Sequence, residues 1–280
     1  MNKPFGDSNW RAMSREQLDA GLNNGKAVAE SGAISDGWVE RSKAMKAKYP
    51  AHLDIAYGPR ERNTFDLIKV AEGGPVLLLI HGGYWQMRSK DFFTCFAAGP
   101  IAHGINVAVI GYTLAPDATL DEIVAEIHAG VDALAAQGGA LGIDADRIVV
   151  TGWSAGGHLT ATALSHPKVK GAVAISGIYD LEPIRHSYLN EKLKLDEAMS
   201  KRQSPLMAVG PNKPLAIVAG GGELPILRQQ AADFAAHRAQ HGLPVSYEEI
   251  PSAHHFAIME QLESPTGRIT TLIRDVVARI

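Results

Sequence analysis

Three side chains, far apart in the chain, have the types that nucleophilic acyl transfer needs. Ser154 lies in Gly152-Trp153-Ser154-Ala155-Gly156, an acid is offered by Glu223 or Asp180, and a base by His254 or His255. A serine hydroxyl is a weak nucleophile and needs an adjacent base. The histidine would take its proton and later give it to the leaving group. The acid would hold the ring in the right tautomer and stabilise the imidazolium. G-x-S-x-G is the pattern of a nucleophile elbow, where a sharp strand-to-helix turn lifts the serine to the top of a sheet. Gly152 and Gly156 remove Cβ atoms that would collide across that turn. The bland reading is a glycine-rich turn with no chemistry, and the five-residue pattern alone does not exclude it.

The elements around these residues favour the elbow. Ile148 to Thr151 is a β-branched run leading into it, and His158 to Leu164 is helix-like. Val76 to Ile80, Ile105 to Ile110, Val169 to Ser176, Leu215 to Ala219 and Val245 to Ile250 read as further strands. The continuous apolar run Val76 to Ile80 fits a strand buried on both faces of a mainly parallel sheet. Helices are expected from Ser89 to about His103, from Asp121 to Ala136 with Ile123, Ile127, Val131 and Leu134 on one face, from Leu227 to Gln240, and at the end of the chain. Strands alternating with helices imply an α/β fold, a doubly wound sheet with helices on both faces. The chemistry of such sheets lies beyond the carboxyl ends of the strands.

Those ends hold the candidates. His81-Gly82-Gly83 follows the Val76 to Ile80 strand. The backbone N–H groups of Gly82, Gly83 and Ala155 make a candidate oxyanion hole, which stabilises charge that appears only in the transition state. His81 reads as a brace for that loop. Tyr84 and Trp85, directly after it, are candidate walls of the acyl pocket. Tyr179-Asp180, Gly220-Gly221-Gly222-Glu223 and Ala253-His254-His255-Phe256 follow three later strands. Glu223 precedes a helix at the later strand, the usual place for the acid, whereas Asp180 also reads as an N-cap before Leu181.

Residues 1–50 read as a polar, helical N-terminal cover, with one helix capped by Ser14 and Gln17 and another from about Ser35 to Lys48. Asp54 to Gly58 and Thr64 to Ala71 look like early strands. Residues 51–280 read as the hydrolase-like domain, interrupted at about 181–210 by a polar cap insertion. The chain has 280 residues, a formal net charge of −3 and one cysteine, Cys95, expected in the core. No basic footprint for nucleic acid or anionic membrane is present, no intrachain disulfide is possible, and no leader or spanning run is seen. A cytoplasmic protein acting on a small-molecule ester or amide, with no cofactor and no metal, is the expectation. A homodimer is carried as one arrangement.

With these residues in view, the chain resembles the kynurenine formamidase (arylformamidase) branch of the α/β-hydrolases, close to esterases with an H-G-G loop. The matching stretches are His81-Gly82-Gly83-Tyr84-Trp85-Gln86 with Ser89-Lys90-Asp91, Leu114-Ala115-Pro116 with Thr119-Leu120-Asp121, and Ser154-Ala155-Gly156. Ser176-Gly177 with Asp180-Leu181-Glu182-Pro183-Ile184, then Ser204-Pro205, then His255-Phe256 with Glu260, complete them. The resemblance implies an α/β-hydrolase fold with Ser154 as nucleophile and His255, in the H-F pair, as base. Glu223, followed by Pro225 and Arg228-Gln229, falls where the family has an aspartate. Two departures stand out: Glu for Asp at 223, and Trp153, close to the site, where the animal enzymes carry a histidine. Three functions follow. The first is a serine hydrolase releasing formate from an N-formyl aryl amide, the second a short-chain carboxylesterase or amide or carbamate hydrolase, the third a non-catalytic binding protein of the same fold.

Overall fold

The computed structural model describes residues 9–280; residues 1–8 of the expected N-terminal cover lie outside them. Eight strands form one sheet: β1 (Ile55–Ala56), β2 (Thr64–Ile68), β3 (Gly74–Ile80), β4 (Asn106–Ile110), β5 (Ile143–Trp153), β6 (Val169–Ile175), β7 (Leu215–Gly220) and β8 (Val245–Ile250). Their order is β1-β2-β4-β3-β5-β6-β7-β8. β1, β2 and β4 pair antiparallel, and every pairing from β4 through β3 to β8 is parallel.

Strand side chains alternate between two cores, as the period of two requires. Val76, Leu78 and Ile80 of β3 face the layer that also holds Val150, Ala172 and Ile217. Leu77 and Leu79 face the opposite layer, with Val149, Val173, Val218 and the C-terminal helix residues Ile269 and Ile273. Both faces are covered, which is why β3 reads as an unbroken apolar run.

Several boundaries move for local reasons. The helix Ser14 caps is short, Arg15–Gly21, and its capping box with Gln17 is formed in both directions. The next long helix begins earlier than expected, at Ser31, and ends at Lys48 before Pro50. β2 stops at Ile68 because the N–H groups of Val70 and Ala71 donate to Asn106 Oδ1 instead of a strand. The single helix expected from Ser89 to His103 is not there. The stretch is Lys90–Phe92 and Thr94–Ala97 in 3-10 turns, then a short α-helix Ala98–Ile101. Gly99 lies so close to Leu262 that a Cβ there would sit 2.1 Å from its carbonyl oxygen, so the segment follows the packing surface rather than a helical repeat. Between β6 and β7 come three short helices, Glu182–Arg185, Asn190–Leu193 and Glu197–Gln203. Among the described residues no helix is long and apolar enough to cross a membrane.

The N-terminal helix Ser31–Lys48 is fastened in two ways. Trp38, 2% exposed, packs against Phe93, Phe96, Trp153 and Phe256. Beyond that aromatic patch, Lys46 and Lys90 share the fully buried Asp66, at 2.6 and 2.7 Å. A buried carboxylate is tolerated only when paired in this manner.

Register brings the functional strand ends level. Ile80 pairs with Gly152, Trp153 with Ile175, Ile175 with Val218, and Gly220 with Ile250. The contact at Gly152 is a tight constraint on the elbow: a Cβ would lie 2.4 Å from the Gly156 oxygen and 2.8 Å from the Ile80 oxygen. Both are backbone atoms and cannot swing away. Gly152→Ala is therefore expected to lower stability to chemical denaturation by about 1–3 kcal/mol, the usual cost of overpacking. A variant with wild-type stability would show that the elbow backbone relaxes freely.

Candidate active site

Ser154 follows β5 and starts the helix Ala155–Ala163, with φ 60° and ψ −119°. A non-glycine residue costs energy there, and such strain persists only where surroundings impose it. The Ser154 N–H donates to Ile175 O at 2.8 Å, while its carbonyl accepts from His158 N at 3.1 Å. Gly156 presses on β3 as Gly152 does on the elbow itself: a Cβ at Gly156 would be 2.2 Å from Ile80 O. The Ala155 N–H is one of the first N–H groups of the helix, which have no partner within it.

The His81-Gly82-Gly83 loop runs alongside. A Cβ on Gly82 would stand 2.6 Å from Trp153 O and 3.1 Å from Ser154 Cβ, so only glycine permits this approach. Gly83 has φ 120°, and its carbonyl accepts from Gln86 and Met87 N–H, folding the chain into a tight turn. His81 braces the loop. Its Nδ1 lies 2.9 Å from Gly82 O, and its ring stacks on Tyr112 at 4.1 Å. Full burial pushes its pKa down to about 3, so it stays neutral and is a weak proton acceptor. His158, also fully buried, is pushed down to about 4 and bonds Gln203 O through Nε2 at 2.7 Å.

The acid and the histidine meet. Glu223 Oε1 lies 3.0 Å from His255 Nδ1, and both residues are buried. The same oxygen accepts the Ser176 hydroxyl at 2.5 Å, and Glu223 Oε2 has no partner. With Nδ1 donating to the carboxylate, Nε2 is left as the acceptor, the tautomer a general base requires. His255 is tied to the elbow through Trp153, whose indole N–H donates to His255 O at 2.7 Å with the rings 4.6 Å apart. Among the described residues no hydrogen bond joins Ser154 Oγ to His255; such contacts are often long in ligand-free enzymes and tighten with substrate.

The other candidates go elsewhere. Asp180 accepts from Glu182 N at 3.0 Å, while its own N–H and that of Tyr179 donate to Gln230 Oε1. It shapes the start of a short helix, as its cap-like position suggested, and makes no contact with either histidine. His254 Nδ1 accepts from the N–H groups of Phe256 and Ala257, which occupies it in a turn. Tyr84 gives its hydroxyl to Leu22 O at 2.5 Å and accepts from Asn24 at 3.0 Å. Trp85 is fully buried, edge-on to His158 at 5.0 Å. Tyr84 and Trp85 thus form the rigid ground beneath the loop, and Trp153 stands between elbow and histidine. Among the described residues no group of three or more His, Cys, Asp or Glu is placed to hold a metal ion.

Two residues escaped the sequence reading. Ser176, φ 49°, was seen only as part of a Ser-Gly pair; its role depends on β6 and β7 being adjacent, a fact of sheet order and not of spacing. Arg88, φ 72°, sits in the loop motif without an assigned function.

A family model described as the alpha/beta hydrolase fold matches residues 77–208. The chain is 28% identical to the kynurenine formamidase of Danio rerio, over 97% of this chain and 99% of that protein, and 29% identical to the kynurenine formamidase of Salmo salar with the same coverage. A solved structure from Silicibacter sp. TM1040, described as a candidate thioesterase, superposes with TM-score 0.83 at 28% identity, covering 92% of this chain and 99% of that one. An esterase of Pyrobaculum calidifontis superposes with TM-score 0.71 at 18% identity, over 88% of this chain and 92% of that one, a likeness of fold alone.

The two neutral, buried histidines carry a pH consequence. Their folded pKa values lie below the unfolded value of about 6.5, so the unfolded chain binds more protons between those limits. Stability is then fully present above about pH 6.5 and falls as pH drops toward 4. Each histidine is expected to contribute a loss of about 2 kcal/mol between pH 7 and pH 5. In urea denaturation, His158→Gln should show a correspondingly shallower fall than the parent; identical slopes would contradict the buried neutral state. From its eight-stranded sheet and from these relatives, the chain is a hydrolase of the α/β-hydrolase fold, similar along nearly its whole length to kynurenine formamidases.

Proposed function

We propose that the chain is a serine hydrolase that cleaves a small acyl group from an aryl amide through an acyl-enzyme, with an N-formylkynurenine-like formamide as its substrate and Ser154, His255 and Glu223 as its triad. The observation that carries this reading is the 3.0 Å contact of Glu223 Oε1 with His255 Nδ1, made beside the elbow serine.

Ser154 Oγ attacks the formyl carbon as His255 Nε2 takes the hydroxyl proton. The carbonyl oxygen gains negative charge and is met by the N–H groups of Ala155, Gly82 and Gly83, fixed before reaction so that no reorganisation is needed. Glu223 stabilises the imidazolium without taking its proton. The imidazolium then protonates the departing aryl amine and the C–N bond breaks. Water, deprotonated by the same histidine, attacks the formyl ester, releasing formate and returning Ser154. Tyr84 and Trp85 back the Gly82-Gly83 loop, and the Trp153 ring lies against His255 at 4.6 Å. No cofactor or metal enters this scheme.

Glutamate in place of aspartate adds a methylene between backbone and carboxylate. Ser176 offsets that freedom by fixing the very oxygen that faces the histidine. The second reading, hydrolysis of a short-chain ester or thioester, has support in the candidate thioesterase at 28% identity; the same serine and donors serve either leaving group.

Ser154→Ala and His255→Ala are each expected to lower kcat by at least about 10⁴-fold with the fold intact by circular dichroism. His254→Ala and Asp180→Asn should retain most activity, since neither side chain reaches the triad; a larger loss at His254 than at His255 would reverse the base assignment. Ser176→Ala should lower kcat more than KM and shift the pH dependence of kcat/KM, because the carboxylate facing His255 loses a donor; an unmoved profile would reduce Ser176 to packing. Steady-state rates on N-formylkynurenine against p-nitrophenyl esters decide between the readings, and a kcat/KM for the formamide no higher than for the esters would favour the second.

A further inference from the structure

The loop that carries the candidate oxyanion donors is held from outside the sheet. Tyr84 and Trp85, the residues that follow Gly82-Gly83, both have left-handed backbones, φ 51° and 59°. Neither is a glycine, so the turn costs energy and needs partners that impose it. Trp85 O accepts from Ala115 N at 2.8 Å, and Gly83 O accepts from the N–H groups of Gln86 and Met87. The Tyr84 side chain reaches further. Its hydroxyl donates to Leu22 O and accepts from Asn24 Nδ2 at 3.0 Å. Leu22 O also accepts from Asn24 N at 3.2 Å, so one turn of the N-terminal cover grips the phenol oxygen twice.

A buried asparagine needs a reason. Asn24 is 4% exposed and starts the short helix Asn24–Ala27, but the cap of that helix is Asn23, whose side chain accepts from Lys26 N at 3.0 Å. Capping therefore requires no polar side chain at 24. A phenol has one hydrogen, and that of Tyr84 goes to Leu22 O, so the group that Asn24 turns to Oη must be a donor. Nδ2 then faces Tyr84, and Oδ1 is left buried without a protein partner. Among the described residues the bond to Tyr84 is the one hydrogen bond of the Asn24 side chain.

The grip matters because of what lies just before Tyr84. Gly82 stands against the elbow: a Cβ there would be 3.1 Å from Ser154 Cβ and 2.6 Å from Trp153 O. Glycines add no side-chain restraint of their own, so the direction of the Gly82-Gly83 pair is set at its two ends. His81, stacked on Tyr112, holds one end, and Tyr84 holds the other.

We infer that Asn24 is a positioning residue for acyl transfer: through the Tyr84 hydroxyl it holds the Gly82 and Gly83 N–H groups where the oxyanion forms. The inference rests on the serine-hydrolase reading and deepens it, making the N-terminal cover a support of the site. Oxyanion donors are effective because they do not move as charge develops. Loosening the loop therefore weakens transition-state stabilisation more than substrate binding. An Asn24 with a merely structural role would change the number of folded molecules and leave each one as active as the parent.

The test compares the full chain with Asn24→Leu, Asn24→Asp and Tyr84→Phe. Leucine removes the donor at similar size, aspartate keeps the shape and offers only acceptors, and phenylalanine keeps the ring without the hydroxyl. Active sites are counted by end-point labelling with a fluorophosphonate, so kcat is expressed per competent serine. Rates are taken on N-formylkynurenine or p-nitrophenyl acetate, whichever the parent turns over faster. Inhibition is measured with phenylboronate, which forms a tetrahedral anionic adduct on a serine, and with benzamide, which does not. Each variant is expected to lower kcat about 10-fold, less than the roughly 100-fold or more that deleting an oxyanion donor costs, with KM changed by less than about twofold. The phenylboronate inhibition constant should rise by a similar factor while that of benzamide stays put. Asn24→Leu combined with Tyr84→Phe should cost no more than the larger single loss, since both cut the same contact. A kcat per site within about twofold of the parent in both Asn24 variants, or equal shifts for phenylboronate and benzamide, overturns the positioning role. A parent that neither labels with the fluorophosphonate nor binds phenylboronate overturns the serine-hydrolase reading, and the inference with it.

Discussion

The rest of the site depends on one close approach, the backbone of β5 and its following helix against the end of β3. Gly152 and Gly156 allow Ile80 O to come within distances that any Cβ would forbid. That contact fixes Ser154 at φ 60° on a turn too tight to relax. It also sets the Ala155 N–H at the first turn of the helix and brings Gly82 against Ser154 Cβ. The candidate nucleophile and candidate oxyanion donors are therefore positioned by backbone packing, with no reliance on flexible side chains. Pre-organisation of this kind is what makes donors effective on developing charge.

Around that fixed point, β6, β7 and β8 each supply one piece, and their neighbouring order is what lets the pieces touch. Ser176 ends β6, Glu223 follows β7 and His255 follows β8. Oε1 of Glu223 receives Ser176 from one side and His255 from the other. Trp153 then reaches across to the His255 carbonyl, closing the circuit from elbow to base. The N-terminal helix takes part from outside, since Trp38 packs on Trp153 and Phe256 at once. A change at Trp38 would reach His255 through two packed rings, Trp153 and Phe256.

The parts legible in the sequence were those with a local signature. The apolar run of β3 and the glycine spacing of the elbow are such signatures, because their physical causes act over a few residues. So is the capping pair Ser14 and Gln17 that starts the helix Arg15–Gly21. The stretch after Ser89 was misread as one helix because its apolar residues fit a helical period, while the shape of the surface beneath Gly99 and Leu262 divides it. The choice of Glu223 over Asp180 rested on strand order; the buried contacts to Gln230 and Glu182 that occupy Asp180's surroundings had no sequence signal. The contact of Ser176 has no sequence signal for the same reason: it is made with Glu223, more than forty positions away.

The distribution of unpartnered polar atoms follows from this arrangement. Among the described residues, Glu223 Oε2, His81 Nε2, Trp85 Nε1 and His158 Nδ1 are all buried without a protein hydrogen bond. Each such group costs about 1–3 kcal/mol in desolvation, and a core selected for stability alone would avoid the cluster. They lie in or next to the segments that follow β3, β5 and β7, the segments that build the site. Trp38, Trp85 and Trp153 are packed among the same segments, so Glu223 and His255 meet where side chains surround them, and an electrostatic contact is stronger in such surroundings than in bulk water.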